Sequence, residues 1–324
     1  MWLYETEDNV KTGVIGSGLI AKAFLSVAGK LSGNEIVAIY SRNTANAQKA
    51  ADMYGIKRVF SDIDDMLMCD DFDFVYIAIP NNLHFEYAKK ALTAGKNVVL
   101  EKPFTVTANE AEELFSIAEK KGLYLFEAIT NIHNPIMKHI EEFIFESGRI
   151  KSVKVAFTQR SSRYDDFLNG RIHPVFDPSM NGGVLMDLGV YNLHILNHLF
   201  SVPSALEYDK VIERGVDISG TVKLFYDTFT AECPVSKSYT TENGVYIESD
   251  IGYVKCESKP KSLEEVTISK KGITSVYHSP GGAERLLPQW ETFERIYRSS
   301  DYEGMLRLKE NTLGVCRMVD MALA

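Results

Sequence analysis

A lysine closes the β-branched apolar run Asn97-Val98-Val99-Leu100-Glu101-Lys102-Pro103, and far along the chain Asp187, Tyr191, His194 and His198 follow one another at intervals of four, three and four residues. A run like the first reads as a buried parallel strand, and in an open α/β sheet ligands gather beyond the carboxyl ends of such strands. Lys102 therefore stands where an ammonium meets a reactant, and Pro103 disfavours a helical backbone at Lys102 and is itself able to take the cis isomer. The intervals of four and three put Asp187, Tyr191, His194 and His198 on one face of a helix. Because the positions between them are mostly Leu, Val and Ile, that polar stripe suits a helix that looks into a cleft. An ammonium, a carboxylate and a phenol together suit proton transfer at a carbonyl or hydroxyl group. They do not suit a metal: no glutamate follows His194 to complete the usual hydrolase arrangement, and His198 reads as a satisfied core or interface histidine. A third group lies in the long polar segment 160–181, where Arg163, Tyr164 and His173 are candidate substrate contacts. Loops of that length within a domain are uncommon unless functional, and a mobile surface excursion is the competing reading.

The elements that must position these residues are legible upstream. A short strand over 12–15 runs into Gly16-Ser17-Gly18-Leu19-Ile20-Ala21 and a helix over 22–30. In such a strand, glycine turn and helix, Gly16 permits the tight turn, Gly18 lets backbone approach a pyrophosphate, and Ala21 allows close packing while the helix N-terminus faces the phosphates. A second strand over 35–40 ends in Ser41-Arg42-Asn43 ahead of a helix over 44–54. The residue at that strand end reads the adenosine ribose. Glu35 has about the spacing of the usual acid but opens the strand, whereas the hydroxyl of Ser41 and the guanidinium of Arg42 suit a 2′-phosphate, which favours NADP over NAD. A brief strand over 57–60 and a helix over 62–68 follow. A fourth strand over 74–79 stops at Pro80-Asn81-Asn82, with Asn82 expected to cap a helix over 83–94. Pro80, Asn81 and His84 are expected beside the nicotinamide half of the cleft. A helix over 108–121 and a strand over 123–126 complete six strands alternating with helices, which specifies a doubly wound parallel sheet.

Composition sets the outer limits. The 324 residues are 45% hydrophobic and 24% charged, as expected of a two-domain globular chain. A net charge of −9 argues against nucleic-acid and anionic-membrane surfaces. The four cysteines, Cys69, Cys233, Cys256 and Cys316, have no metal-ligand spacing and read as reduced thiols of a cytoplasmic protein. The first ten residues carry acids where a signal peptide carries bases, and no apolar run is long enough to span a bilayer.

Taken together, Gly16-Ser17-Gly18-Leu19-Ile20-Ala21, Ser41-Arg42, Pro80-Asn81-Asn82-Leu83-His84 and Glu101-Lys102-Pro103 resemble the Gfo/Idh/MocA oxidoreductases, named for glucose-fructose oxidoreductase and inositol dehydrogenase. The resemblance implies a Rossmann dinucleotide-binding domain over 1–127. It also implies an α+β domain over 128–324 with an open, mostly antiparallel sheet, for substrate binding and dimerisation, and with the last helix returning to the first domain. It makes Lys102 catalytic, and Gly16, Ser17, Gly18, Leu19, Ile20, Ser41, Arg42, Pro80, Asn81, His84 and Glu101 cofactor contacts. A glycine turn followed by an aspartate and, four residues on, a histidine or tyrosine acting with the lysine matches Gly182-Gly183, Asp187 and Tyr191, although Asn181 stands where the family commonly has a further glycine. Asp187, Tyr191 and His194 join the substrate contacts.

The reaction implied is hydride transfer between nicotinamide and a sugar, polyol or related hydroxylated carbonyl compound, with no metal. A tyrosine, ordinarily near pKa ~10, needs a neighbouring cation such as Lys102 to work near neutrality. The residues accommodate either Tyr191 or Lys102 as the acid. A sensor that binds NAD(P) or a sugar without turnover is the alternative function, since fold does not dictate activity. The expected assembly is a homodimer or a dimer of dimers.

Overall fold

The computed structural model describes residues 9–324, so most of the acidic N-terminal stretch lies outside the described residues. The chain divides into two units. The first comprises the chain up to Phe104, Asn109–Ala128 and Leu286–Lys309; the second comprises Thr105–Ala108, Ile129–Arg285 and Glu310–Ala324.

In the first unit, strands β1 (Val10–Ile15), β2 (Asn34–Tyr40), β3 (Arg58–Phe60), β4 (Phe74–Ile77), β5 (Asn97–Glu101) and β6 (Leu125–Ala128) alternate with helices α1 (Leu19–Ala28), α2 (Thr44–Tyr54), α3 (Ile63–Leu67), α4 (His84–Thr93) and α5 (Ala108–Lys121). The strands form one parallel sheet in the order β3-β2-β1-β4-β5-β6. That is the dinucleotide-binding order, with its switch point between β1 and β4. Every residue of β4, β5 and β6 is buried. A sheet covered on both faces needs such unbroken Val, Ile, Leu and Phe runs, each such side chain contributing about 1.5–3 kcal/mol when fully buried.

Local signals set the helix ends. Asn43 caps α2 by accepting from the N–H of Asn46, Gly55 closes it in the left-handed region, and Asp62 caps α3 by accepting from Asp64 and Asp65. The start of α4 differs from expectation. Asn82 is not its cap, because Asn81–Leu83 forms a 3₁₀ turn in which the Leu83 N–H donates to Pro80 O at 3.0 Å, and α4 starts only at His84. The tighter turn answers the donors that a capping side chain would have taken.

A helix near the C-terminus, Leu287–Arg298, belongs to this unit and covers the sheet with aromatic rings. Trp290 stacks on Phe24 of α1 at 4.4 Å and meets the edge of Tyr76 at 5.5 Å. Phe293 stacks on Phe126 at 4.5 Å, and Tyr297 meets Phe74 edge-on at 4.9 Å. The resemblance implied a last helix that returns to the first domain; the division of the chain falls within that helix, Tyr302–Leu323, between Lys309 and Glu310.

The second unit contains α6 (Ile136–Glu146), β7 (Ile150–Thr158), α7 (Tyr164–Leu168), α8 (Val190–Phe200) and strands β8 (Ala205–Glu213), β9 (Val216–Phe225), β10 (Thr230–Ser236), β11 (Gly244–Ser249), β12 (Gly252–Cys256), β13 (Glu265–Lys270) and β14 (Ile273–His278). The helices Leu287–Arg298 and Tyr302–Leu323 are α9 and α10. The eight strands form one sheet in the order β14-β13-β12-β11-β7-β10-β9-β8. Its pairs are antiparallel except β7 with β10. One core cluster joins the inward strand residues to Ile136, Met137, Ile140 and Phe143 of α6, Leu193, Ile195 and Leu196 of α8, and Val315, Met318 and Val319 of α10. The resemblance implied an open, mostly antiparallel sheet without specifying its separate strands. The two at the sheet edges, β8 and β14, are mostly exposed and β8 is charged, as edge strands tolerate, so they lack a regular apolar alternation.

Replacing Trp290 by Ala removes a buried ring that contacts α1 and β4. Denaturant unfolding followed by circular dichroism should show a loss of about 3–5 kcal/mol, whereas a variant as stable as the parent would exclude α9 from the core of the first unit.

Candidate active site

Beyond the ends of β1, β2 and β4 lies a cleft of ≈ 330 Å³ lined by Gly16, Ser17, Gly18, Ile20, Tyr40, Ser41, Arg42, Ala78, Ile79, Pro80, Leu83 and Tyr87. Gly16 is required by the protein itself: its φ is +119°, and a Cβ there would collide with the carbonyl oxygen of Ala78. Gly18 is different. A Cβ at Gly18 would meet nothing within 4 Å, and as the N-cap of α1 it brings no side chain to the first N–H groups of the helix. Those donors, with the positive end of the helix behind them, suit an anion that approaches bare backbone. The residues present thus fit a dinucleotide pyrophosphate.

Ser17 and Ser41 stand with their hydroxyl oxygens 2.9 Å apart, joining the glycine turn to the end of β2. Arg42 opens the loop beside them and is exposed. Tyr40 and Tyr87 hold their hydroxyls 3.5 Å apart. Burial, then the Tyr87 hydroxyl, pushes the Tyr40 phenol up to about 12, so this wall stays neutral and leaves Arg42 as its charge. Leu19 is 76% exposed and sits outside the cleft lining.

Four expected contacts, His84, Glu101, Lys102 and Asn81, lie outside this cleft lining. His84 is buried, with Nδ1 2.8 Å from the carbonyl oxygen of Pro103 and Nε2 3.0 Å from that of Ile79. Both nitrogens face backbone carbonyls, and a neutral imidazole donates to one of them at a time, so His84 packs the segment after Lys102 against the cleft wall at Ile79. Burial lowers its pKa below the ordinary value, against the pull of those carbonyls. Glu101 is buried too, and its carboxylate accepts a 2.6 Å hydrogen bond from Tyr76. Lys102 follows directly, half-buried, and joins Pro103 through a cis peptide bond. Asn81 opens the 3₁₀ turn after Pro80.

In the second unit the glycine turn is built around Asp217 of β9, a residue that no sequence pattern singled out. Its carboxylate accepts from the N–H groups of Val184 at 3.2 Å and Leu185 at 2.9 Å, and from the Tyr208 hydroxyl at 2.6 Å. Gly183 has φ +126°, and a Cβ there would overlap Asp217 Oδ1, so only glycine lets the carboxylate reach the helix start. Asn181 adopts the left-handed region, φ +53°, which asparagine tolerates better than most residues. It can therefore stand in for glycine. Burial raises the pKa of Asp217 against these hydrogen bonds, and burial followed by the Asp217 charge raises that of Tyr208.

The polar stripe is not carried by one α-helix. Leu185–Gly189 is a π-turn, and α8 begins at Val190, so the helical phase changes between Asp187 and the other three residues. Residues 190–197 are all buried, Tyr191 keeping 6% exposure and His194 none. His194 is therefore a satisfied core residue, its Nδ1 2.8 Å from Asn311 Oδ1, and His198 pairs with Glu141 of α6. Asp187 accepts from Lys237, a residue missed in the sequence because it follows β10 with no motif around it. The Tyr191 ring lies 5.9 Å from that of Phe157, and its carbonyl accepts from Asn131 Nδ2 at 2.7 Å.

The segment 160–181 is ordered by its own small core. Tyr164, Phe167 and Phe176 pack with Val216 and Ile218 of β9. The Tyr164 hydroxyl donates to Glu213 at 3.3 Å, and burial, then Glu213, raises its pKa. His173 lies 2.8 Å from Asp166 through Nε2, a contact that holds the Asp166 carboxyl below its ordinary range. Arg163 provides the N-cap position of α7. Tyr164 and His173 are thus engaged in shaping this segment. Among the described residues, no group of three or more His, Cys, Asp or Glu side chains is arranged to hold a metal ion.

Comparison with known proteins matches residues 10–129 to GFO_IDH_MocA, the oxidoreductase family with an NAD-binding Rossmann fold. The chain is 33% identical over 258 residues to the scyllo-inositol 2-dehydrogenase (NADP(+)) IolU of Bacillus subtilis, covering 79% of each chain. It is 27% identical over 319 residues to D-xylose 1-dehydrogenase (NADP(+)) 2 of Haloferax volcanii, covering 95% of this chain and 94% of that one. Among solved structures, a 3-ketoreductase from Actinomadura kijaniata in complex with TDP-benzene and NADP superposes with a TM-score of 0.81 at 25% identity, covering 98% of each chain.

Asp217→Ala strands two backbone donors and the Tyr208 hydroxyl. The variant should lose about 1–3 kcal/mol in calorimetric unfolding, and an unaltered transition would show that the glycine turn holds without the carboxylate.

Proposed function

The chain belongs to the Gfo/Idh/MocA family of NAD(P)-dependent oxidoreductases, and we propose that it is an NADP-preferring dehydrogenase or reductase. It moves a hydride between nicotinamide and a sugar, polyol or related hydroxylated carbonyl compound. The observation that carries this reading is the wall of the first-unit cleft. Gly18 and the uncapped start of α1 suit a pyrophosphate, while Ser17, Ser41 and Arg42 gather at the end of β2, where a ribose phosphate is recognised.

NADP, when bound, supplies the hydride in the reducing direction and accepts it in the oxidising one. Gly16, Ser17, Gly18 and the first N–H groups of α1 hold the pyrophosphate, and Ser41 and Arg42 hold the 2′-phosphate. Lys102 and Tyr191 are assigned to the same proton-transfer step. Tyr191 gives its phenolic proton to the alkoxide that develops at the substrate carbon, and the Lys102 ammonium provides the positive charge that eases its release. Asp187 accepts a hydrogen bond from a substrate hydroxyl and so selects polyhydroxylated compounds. Relatives named for scyllo-inositol and D-xylose support a ring hydroxyl or its ketone as the reacting group.

We assign the enzyme to the cytoplasm, where the absence of a disulfide among the described cysteines is expected. We also assign it a homodimeric state, or a dimer of dimers, formed through the second sheet. Val211, Ile212, Tyr253, Ile273 and Val276 of its strands are all more than 40% exposed, and exposed apolar residues of this kind suit a protein interface.

Fluorescence titration with NADPH and NADH, followed by absorbance assays over inositols, inososes, aldoses and keto-sugars, tests the reading; binding of neither nucleotide would sink it. Arg42→Ala should weaken NADPH binding about 10- to 100-fold, the worth of a charge-assisted hydrogen bond, while NADH binding changes little. Equal losses for both nucleotides would remove Arg42 from phosphate recognition. Tyr191→Phe should lower kcat by about 100-fold or more with NADPH affinity retained. Undiminished turnover in that variant would take the proton-donor role from Tyr191.

A further inference from the structure

Lys237 is a titratable group of the second unit that the proposed reaction leaves unexplained. It follows β10 directly, and its backbone is held on both sides: its N–H donates to Ile218 O, and its carbonyl accepts from the N–H of Ser161, each at 2.8 Å. Its side chain is only 5% exposed, whereas that of its partner Asp187 keeps 33%. The ammonium donates to Asp187 Oδ2 and lies 5.6 Å from the centre of the Phe176 ring. That ring is fully buried and stacks on Phe167 at 4.7 Å.

Stability alone gives little reason to keep a lysine in this place. A buried ammonium is tolerated where a carboxylate answers it, but an apolar pair of similar volume usually serves stability as well or better. The asymmetry of the pair is more informative. The lysine is enclosed and anchored, while the carboxylate reaches toward the surface from a π-turn, a backbone form often found at functional sites. The face of Phe176 offers the ammonium a second favourable contact on its inner side.

We propose that Lys237 is a positioning residue for Asp187, compensating its charge and fixing its orientation so that the carboxylate meets a substrate hydroxyl already aligned. This rests on the reading of Asp187 as a substrate contact given above. Lys237 itself touches no reactant; its whole effect passes through Asp187. The aromatic cluster of segment 160–181 contributes by setting the depth at which the ammonium sits.

A double-mutant cycle separates this role from a merely structural one. The assay uses NADP⁺ with the inositol or sugar of the panel above that the parent enzyme oxidises fastest, and circular dichroism establishes the folded state of each variant. Lys237→Met should lower kcat/KM about 10- to 100-fold in the parent background but no more than about threefold when added to Asp187→Asn. Asp187→Asn strands the enclosed ammonium, whereas Lys237→Met leaves a carboxylate that is one-third exposed, so if Asp187→Asn fails to fold, the contrast of Lys237→Arg with Lys237→Met still tests the proposal. Lys237→Arg, which keeps the positive charge, should retain about a third or more of parental kcat/KM. Equal losses from Lys237→Met in both backgrounds, parental kinetics in Lys237→Met, or an arginine variant as impaired as the methionine one would overturn the proposal. Parental kinetics in Asp187→Asn would instead remove the substrate role of Asp187, and no turnover of any panel compound would fail the enzymatic reading before a variant is made.

Discussion

A parallel sheet covered on both faces leaves polar groups nowhere to go except beyond its strand ends, and the first unit follows from that constraint. Strands β4, β5 and β6 are buried at every position. Polar chemistry therefore begins where each strand stops: Gly16-Ser17-Gly18 after β1, Ser41-Arg42 after β2, Pro80-Asn81 after β4 and Lys102 after β5. The strand order puts the ends of β1 and β4 side by side at the switch point. Gly16 shows how close they come, since no Cβ fits against Ala78. Within this packing, buried side chains hold the loops in place. His84 packs between the carbonyls of Pro103 and Ile79, and Tyr76 holds Glu101, so two residues with the composition of ligand contacts act as internal ties.

The second unit meets the same requirement in another way. Its central helix α8 is buried along residues 190–197, and the polar side chains on it must be answered within the protein. Asn311 answers His194 and Glu141 answers His198. The start of that helical segment is answered by Asp217, whose carboxylate takes two backbone N–H groups and a phenol at once. This arrangement sets the π-turn, and with it the place of Asp187. Lys237 arrives from the opposite direction, at the end of β10, and meets that carboxylate. The position of one candidate functional group is thus determined jointly by β9, β10 and a glycine pair.

Electrostatics distinguish the two units. In the first-unit cleft the Tyr40 phenol stays neutral and Arg42 supplies exposed positive charge, an arrangement that favours an anionic ligand without burying a charge to receive it. In the second unit Lys237 pairs with Asp187, and His173 lies against the Asp166 carboxylate. Paired charges attract a ligand weakly but orient hydroxyl groups well, as polyhydroxylated compounds require.

The sequence by itself determined the elements whose signals are local. Gly-rich turns, the Asn43 cap and unbroken apolar runs depend on neighbours within a few residues, so α2 and α5 appear at 44–54 and 108–121 both in the pattern and in the molecule. Tertiary structure decided what depends on partners far along the chain. The spacing of Asp187, Tyr191, His194 and His198 describes a helical face, but only the covering of α8 and the π-turn before it show that His194 serves the core while His198, past the buried stretch, pairs with Glu141. Asp217 and Lys237 have no motif because their partners lie some thirty to fifty residues earlier, at Val184, Leu185 and Asp187. A side chain's type and spacing state what it is able to do; burial and the partner across the sheet determine whether it does it for a ligand or for the fold.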